Sequence, residues 1–292
     1  MSLEQVDRLR AMLLARRGET PTIEERRARF EAQWAATPLP DDIVFTPTRI
    51  RDDLRGLWVD APGGRQDRVM LWLHGGAFML GSAQSYRDFG ARLARAAGVR
   101  VLLLDYRLAP EHPFPAALTD TGDALDWLEA SGLGAPQLAI GGDSCGGNLA
   151  LAALQQRLGQ NRPQPAALWL ISPYLDLTHT GASIASRAER DPFIDPVGMP
   201  QTAALYLGGA SPGDPRASPL FGPVKDLPPT LIQVGSDEVL FDDARRLANR
   251  LTDATFQEWV GMVHVWPLFA EMIDEGAWAI AQGGTFVAKQ LV

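Results

Sequence analysis

The chain has 292 residues, 46% of them hydrophobic and 21% charged, enough for a large buried core and for one enzyme-sized domain with a small appendage. Its 35 acidic against 27 basic residues leave a net charge of −8, which disfavours extended contact with nucleic-acid phosphates or anionic lipid. The single cysteine, Cys145, can close no internal disulfide, and no stretch approaches the roughly 18 apolar residues of a membrane span. The apolar run Met12 to Ala15 is shorter than the roughly 7–15 residues of a signal-peptide core, so a cytoplasmic address is expected.

In chain order, Leu3, Val6, Leu9 and Leu13 recur at helical spacing, and Thr22-Ile23-Glu24-Glu25 has the pattern of a capping box opening a second stripe through Phe30 and Trp34. Two amphipathic helices are expected over residues 1–38. Their arginines, at 8, 10, 16, 17, 26, 27 and 29, read as a solvated face balanced by glutamates. From Asp42 the period shortens: apolar runs at 43–45, 54–59, 69–73, 100–104, 138–141, 168–172, 231–234 and 257–260 predict strands. Helical segments are expected at 84–97, 117–130, 146–158 and 240–252. The first two runs are too close together to enclose a helix and so imply an antiparallel start; the later alternation implies a mostly parallel sheet with helices on both faces. Ligands of such α/β folds bind at the carboxyl ends of the strands. Between 174 and 229 prolines accumulate and only 182–189 and 197–207 look helical, the pattern of an insertion.

The stretch LAIGGDSCGGNLALAAL, 138–154, passes from a strand through glycines into a helix. A dinucleotide fingerprint starting at Gly141 would need glycine where Asp143 stands, and a P-loop would need lysine where Gly147 stands. Gly142-Asp143-Ser144-Cys145-Gly146 does fit G-x-S-x-G, a strand-to-helix turn that lifts a serine hydroxyl above the sheet. Glycines flank the serine because side chains there would collide with the neighbouring strand and helix.

A serine needs a base, and the base needs an orienting group. His264 follows the last expected strand, in Gly261-Met262-Val263-His264-Val265-Trp266. Asp237 lies just past the strand Leu231–Val234, giving the chain order Ser144, Asp237, His264 expected of this chemistry. Glu238, Asp242 and Asp243 compete for the acid role. Asp237 is preferred as closest to the strand end, the others being placed at a helix start where acidic residues meet the helix dipole. For the developing oxyanion, His74-Gly75-Gly76-Ala77-Phe78 supplies a glycine turn directly after a strand. The amides of Gly75, Gly76 and Cys145 are the expected donors. His74 is expected to fix that loop, His112 to lie in a bracing Pro-rich loop, and His179 to sit on a surface loop. Four scattered histidines and one cysteine offer no metal site. Cys145 is read as a small residue in a tight turn, with a lowered thiol pKa at the helix start as the alternative.

Taken together, HGGAF (74–78), DYRLAPEHPFPAA (105–117), GGDSCGGNLA (141–150), LIQVGSDEVL (231–240) and GMVHVW (261–266) make the chain resemble the bacterial hormone-sensitive-lipase-like esterases of the α/β-hydrolase superfamily. The resemblance implies an α/β-hydrolase catalytic domain over 41–292, with residues 1–40 and 176–225 forming a helical cap. It implies Ser144 as nucleophile, Asp237 as acid, His264 as base, and Gly75, Gly76 and Cys145 as oxyanion donors, without metal or organic cofactor. Relatives often form dimers, so a homodimer is open. Two positions depart from the family's usual pattern. Ala77 stands where a third glycine is frequent, narrowing the oxyanion loop against esters of bulky tertiary alcohols, and Cys145 stands where alanine is usual. The expected activity is hydrolysis of short to medium acyl esters, the partner being a small-molecule ester; a lactone or activated amide would use the same triad. A non-catalytic small-molecule receptor is the rival, though such relatives typically lack the histidine. Phe78, Trp34, Tyr206 and Phe193 are candidates for the pocket wall.

Overall fold

Apolar runs fully buried on both faces require helices above and below them, and the molecule supplies both layers. The computed structural model describes residues 2–15, 17, 19 and 21–292. Helices α1 (Leu3–Leu14) and α2 (Ile23–Ala35) open the chain, α2 starting on Thr22, whose side chain and that of Glu25 cap each other's backbone N–H groups. Strands β1 (Val44–Arg51), β2 (Leu54–Asp60) and β3 (Arg65–Leu73) follow, then α3 (Arg87–Ala97), β4 (Val99–Asp105), α4 (Ala116–Ala130), β5 (Leu138–Asp143) and α5 (Cys145–Gly159). After β6 (Ala167–Ile171) come the short α6 (Ser183–Ser186) and α7 (Met199–Leu207), then β7 (Thr230–Gly235), α8 (Phe241–Ala248), β8 (Ala254–Trp259) and α9 (Asp274–Gln290).

Among the described residues the strands form one eight-stranded sheet in the order β1-β2-β4-β3-β5-β6-β7-β8. The β1–β2 and β2–β4 pairings are antiparallel and the rest parallel, as the short early spacing predicts. The chain leaves β3 toward β4 and later returns to β5 on the other side, so the carboxyl ends of β3 and β5 flank the point where the winding reverses. Folds wound in this way bind their ligands at that point. The loop 74–80 leaves β3 at that point, and the turn from β5 into α5 stands next to it.

One side of the sheet carries α4, α5 and α8 over a core including Leu71, Ile140, Leu149, Leu170 and Ile232; the other carries α3 and α9 over Trp72, Phe89, Trp169 and Ile280. Helix α9 has no counterpart among the expected elements. Its glycines, poor helix formers, hide the pattern, and packing explains them: a Cβ at Gly283 would run into the Trp169 indole and one at Gly284 into Ala96 of α3. Helix α3 starts at Arg87, later than the expected 84, because the Ser82 and Ser85 hydroxyls bond each other's backbone N–H groups in a turn.

The N-terminal arginines are not simply a solvated face. Arg10 bonds Asp237 and the Arg190 carbonyl, and Arg27 reaches Met79 O, Ala109 O and both oxygens of Glu111. Arg8 is exposed, Arg29 pairs with Glu19, Arg17 bonds Ala188 O, and Arg16 lies outside the described residues. Val6, Leu9 and Leu13 of α1 pack on Met262, Val263, Trp266, Phe269 and Ile273. Among the described residues no helix is long and apolar enough to cross a membrane.

Candidate active site

Ser144 sits at the tip of the turn between β5 and α5 with φ 53° and ψ −121°, a conformation that L-residues rarely adopt. Its neighbours leave no room for side chains: a Cβ at Gly142 would lie 2.6 Å from Leu73 O, and one at Gly146 would meet the same carbonyl closer still. The strained backbone is pinned by Ser144 N–H to Ile171 O at 2.9 Å and by Tyr174 N–H to Ser144 O at 3.0 Å. Ser144 itself is 8% exposed.

His264 comes to it from the loop after β8. Its Nε2 lies 3.0 Å from Ser144 Oγ, and its Nδ1 lies 2.9 Å from Glu238 Oε2. Because an ionised carboxylate only accepts, the ring proton belongs on Nδ1 and Nε2 is left as an acceptor for the serine hydroxyl. Glu238 Oε1 accepts from the Ser172 hydroxyl and the Gly235 N–H, each at 2.6 Å. Ser172 Oγ also accepts from Val265 N–H at 3.1 Å, so one hydroxyl ties the carboxylate to the residue after the imidazole. Burial raises the Glu238 carboxyl against those hydrogen bonds. Burial also works against the His264 imidazolium, but the Glu238 hydrogen bond and charge, joined by Asp191 and Asp143, outweigh it and raise that pKa.

Asp237 is not the carboxylate on His264. Its N–H goes to Met262 O at 3.2 Å, and its Oδ2 points outward to Arg10 Nη1 at 2.8 Å. Glu238 lies on the turn that leaves β7, before helix α8, which begins at Phe241, close to the expected 240, and holds Asp242 and Asp243 in its first turn. Those two bond the Ser183 N–H and the Leu175 and Asp176 N–H groups, away from His264.

The loop after β3 runs through φ values of 116°, 57° and 63° at Gly76, Ala77 and Phe78. Gly75 does not fit the donor role expected of it, because its N–H is already given to Tyr86 OH at 2.9 Å. Among the described residues the N–H groups of Gly76, Ala77 and Cys145 donate to no backbone oxygen, and the Ala77 N–H meets the Cys145 sulfur. Tyr86 OH in turn donates to Asp143 Oδ2 at 2.7 Å, and Trp72 Nε1 donates to Asp143 Oδ1 at 3.2 Å. Burial pushes the Asp143 carboxyl up to about 6. This chain locks the loop to the turn that carries Ser144. His74 bonds Gly75 O at 2.7 Å, and burial pushes its pKa down to about 4, keeping it neutral. Cys145 is fully buried, and burial pushes its thiol up to about 12, against the lowered value considered for a helix start. Its Sγ accepts from Phe78 N–H at 3.1 Å.

A match to the alpha/beta hydrolase fold family spans residues 70–268. An acetyl-hydrolase of Streptomyces hygroscopicus is 44% identical over 79% of this chain and 78% of its own length. The crystal structure of an esterase from the bacterial hormone-sensitive lipase family superposes with a TM-score of 0.95 at 42% identity, covering 99% of both chains. The chain belongs to that esterase family. A structure of EstE5 soaked with p-nitrophenyl butyrate matches the enzyme with a TM-score of 0.93 at 39% identity over 98% of each chain.

Several residues around the esterase's site escaped sequence reasoning. Tyr86 and Ser172 carry no motif, although a serine closing the apolar run ALWLI at a strand's carboxyl end was a usable signal. Asp191, buried in the 176–225 segment, bonds Phe193 and Ile194 N–H through Oδ1 and Val239 N–H through Oδ2. Of the pocket-wall candidates, Phe193 is 40% exposed with its ring centroid 5.5 Å from that of His264. Phe78 and Tyr206 stack at 3.6 Å in the interior, and Trp34 packs on Phe269. His112 is exposed, on a loop that does brace the site's surroundings through Ala109 N–H to Phe78 O at 2.9 Å. His179 is half-buried, its Nε2 2.5 Å from Tyr174 OH, which differs from the surface position expected of it.

Proposed function

We propose that this enzyme hydrolyses short to medium acyl carboxylic esters through an acyl-enzyme on Ser144. His264 is the base, Glu238 the orienting acid, and the N–H groups of Gly76, Ala77 and Cys145 the oxyanion donors. The observation that carries this reading is the unbroken path from Ser144 Oγ to His264 Nε2 at 3.0 Å and from His264 Nδ1 to Glu238 Oε2 at 2.9 Å. His264 takes the hydroxyl proton as Ser144 attacks the ester carbonyl, and the amides hold the negative charge that develops on oxygen. The same imidazole then protonates the leaving alkoxide and, in the second half, deprotonates the water that releases the acid. Glu238 fixes the tautomer and offsets the charge of the imidazolium.

Residues 1–40 and 176–225 are inferred to form the cap, supported by Phe193 against the His264 ring and by α1 packed on 262–273. The short acyl preference draws on the name of the acetyl-hydrolase relative and on the butyrate ester soaked into EstE5. A serine-directed phosphonate should add once, at Ser144, and Ser144→Ala should lower kcat by on the order of 10⁶. Near-normal turnover in that variant would overturn the assignment. A clear preference for emulsified long-chain triglycerides over soluble short acyl esters would overturn the substrate class.

A further inference from the structure

We infer that Arg10, on the N-terminal helix, is a positioning residue that holds the Glu238 carboxylate in line with His264. The inference rests on the triad role given to Glu238 above. Glu238 is flanked by two supports. On its amino side stands Asp237, whose Oδ2 takes a hydrogen bond from Arg10 Nη1 at 2.8 Å. On its carboxyl side stands Val239, whose N–H is held by Asp191 Oδ2 at 2.9 Å, and the carbonyl just before that aspartate, Arg190 O, accepts from Arg10 Nη2 at 2.8 Å. One planar guanidinium therefore spans both supports with two donors in fixed geometry, a task to which the point charge of a lysine is poorly suited.

The rest of α1 makes this bridge rigid. Val6, Leu9 and Leu13 are buried on Met262, Val263 and Trp266, within two positions of His264, so the helix that carries Arg10 also backs the base. Arg10 and Asp237 are part-buried, and their pair ties the two ends of a short turn rather than packing into the core. Its effect should therefore appear in turnover. Misalignment of a carboxylate by a fraction of an ångström loosens the imidazole it orients, and small displacements of catalytic groups cost rate disproportionately.

The test is a double-mutant cycle on the full chain, with kcat and KM for a soluble acetyl ester expressed per phosphonate-titrated Ser144. Arg10→Met should lower kcat about tenfold in the wild-type background, with KM moving less than about twofold and Arg10→Lys recovering only part of the loss. In a Glu238→Gln background the same change should cost less than about twofold, because there is no carboxylate left to position. An equal loss in both backgrounds, or no loss in the wild type, overturns the inference. If Arg10→Met does not fold, Asp237→Asn is carried through the same cycle and judged by the same outcomes. Should Glu238→Gln alone leave turnover near normal, the triad assignment falls instead, and that result is distinguishable from a failed cycle.

Discussion

The turn that carries Ser144 and the turn that carries Glu238 both leave parallel strands at the same end of the sheet, yet they are built on opposite principles. The serine turn is written in its own sequence, two glycines stripped of side chains by the Leu73 carbonyl with a strained residue between them, and outside groups only pin it through backbone bonds from Ile171 and Tyr174. The acid turn is held by groups from elsewhere, Ser172, Asp191 and Arg10, which lie far from Glu238 in the chain. A locally encoded turn announces itself in five letters. A turn encoded by remote partners offers two adjacent carboxylates and no local rule for choosing between them.

The widest separation of the two carboxylates should come from Glu238→Gln, which keeps the shape but forces the wrong imidazole tautomer. A kcat loss of about 10⁴ is expected, as in other triads that lose the orienting carboxylate. Asp237→Asn should cost no more than about tenfold, since it removes only one end of the Arg10 bridge. Comparable losses would erase the distinction. A smaller effect concerns pH. His264 acts as a base only when neutral, and its pKa is raised, burial being outweighed by Glu238, Asp191 and Asp143. The acid limb of kcat/KM should therefore fall above the ordinary histidine value of about 6.5, and should move to lower pH in Glu238→Gln. A limb that stays in place in that variant would mean that another group titrates there. The smallest effect tests the glycine side. Gly122 in α4 has open space where a Cβ would go, unlike Gly142 and Gly146, so Gly122→Ala should raise stability by about 0.5–1 kcal/mol in denaturant unfolding. Destabilisation there would mean that contact alone does not separate required glycines from incidental ones.

How much could be read in advance follows the same division. The sheet, its antiparallel start and the meeting of Ser144 with His264 follow from hydrophobic period and from motifs whose geometry is local. The pairing of Glu238, rather than Asp237, with His264 was not legible, because two adjacent carboxylates just past a strand point to different sides and only their remote partners, Ser172 and Arg10, show which is which. That the Gly75 amide is claimed by Tyr86 was not legible, because Tyr86 is a side chain with no motif of its own. Helix α9 was hidden because Gly283 and Gly284 answer to Trp169 and Ala96, contacts that only the folded chain brings together. The arginines of α1 and α2 looked like solvent-facing charge for the same reason: Arg10 and Arg27 find their partners across the fold.

The sole sulfhydryl of the chain, behind the loop after β3 and engaged by the Phe78 amide, is sealed from solvent, and burial pushes its pKa up to about 12. The wild-type enzyme is thus already a silent background for maleimide chemistry. A cysteine introduced at exposed Val197 would be its only reactive handle, allowing a fluorophore or spin label to follow the 176–225 segment during turnover without first deleting a native thiol.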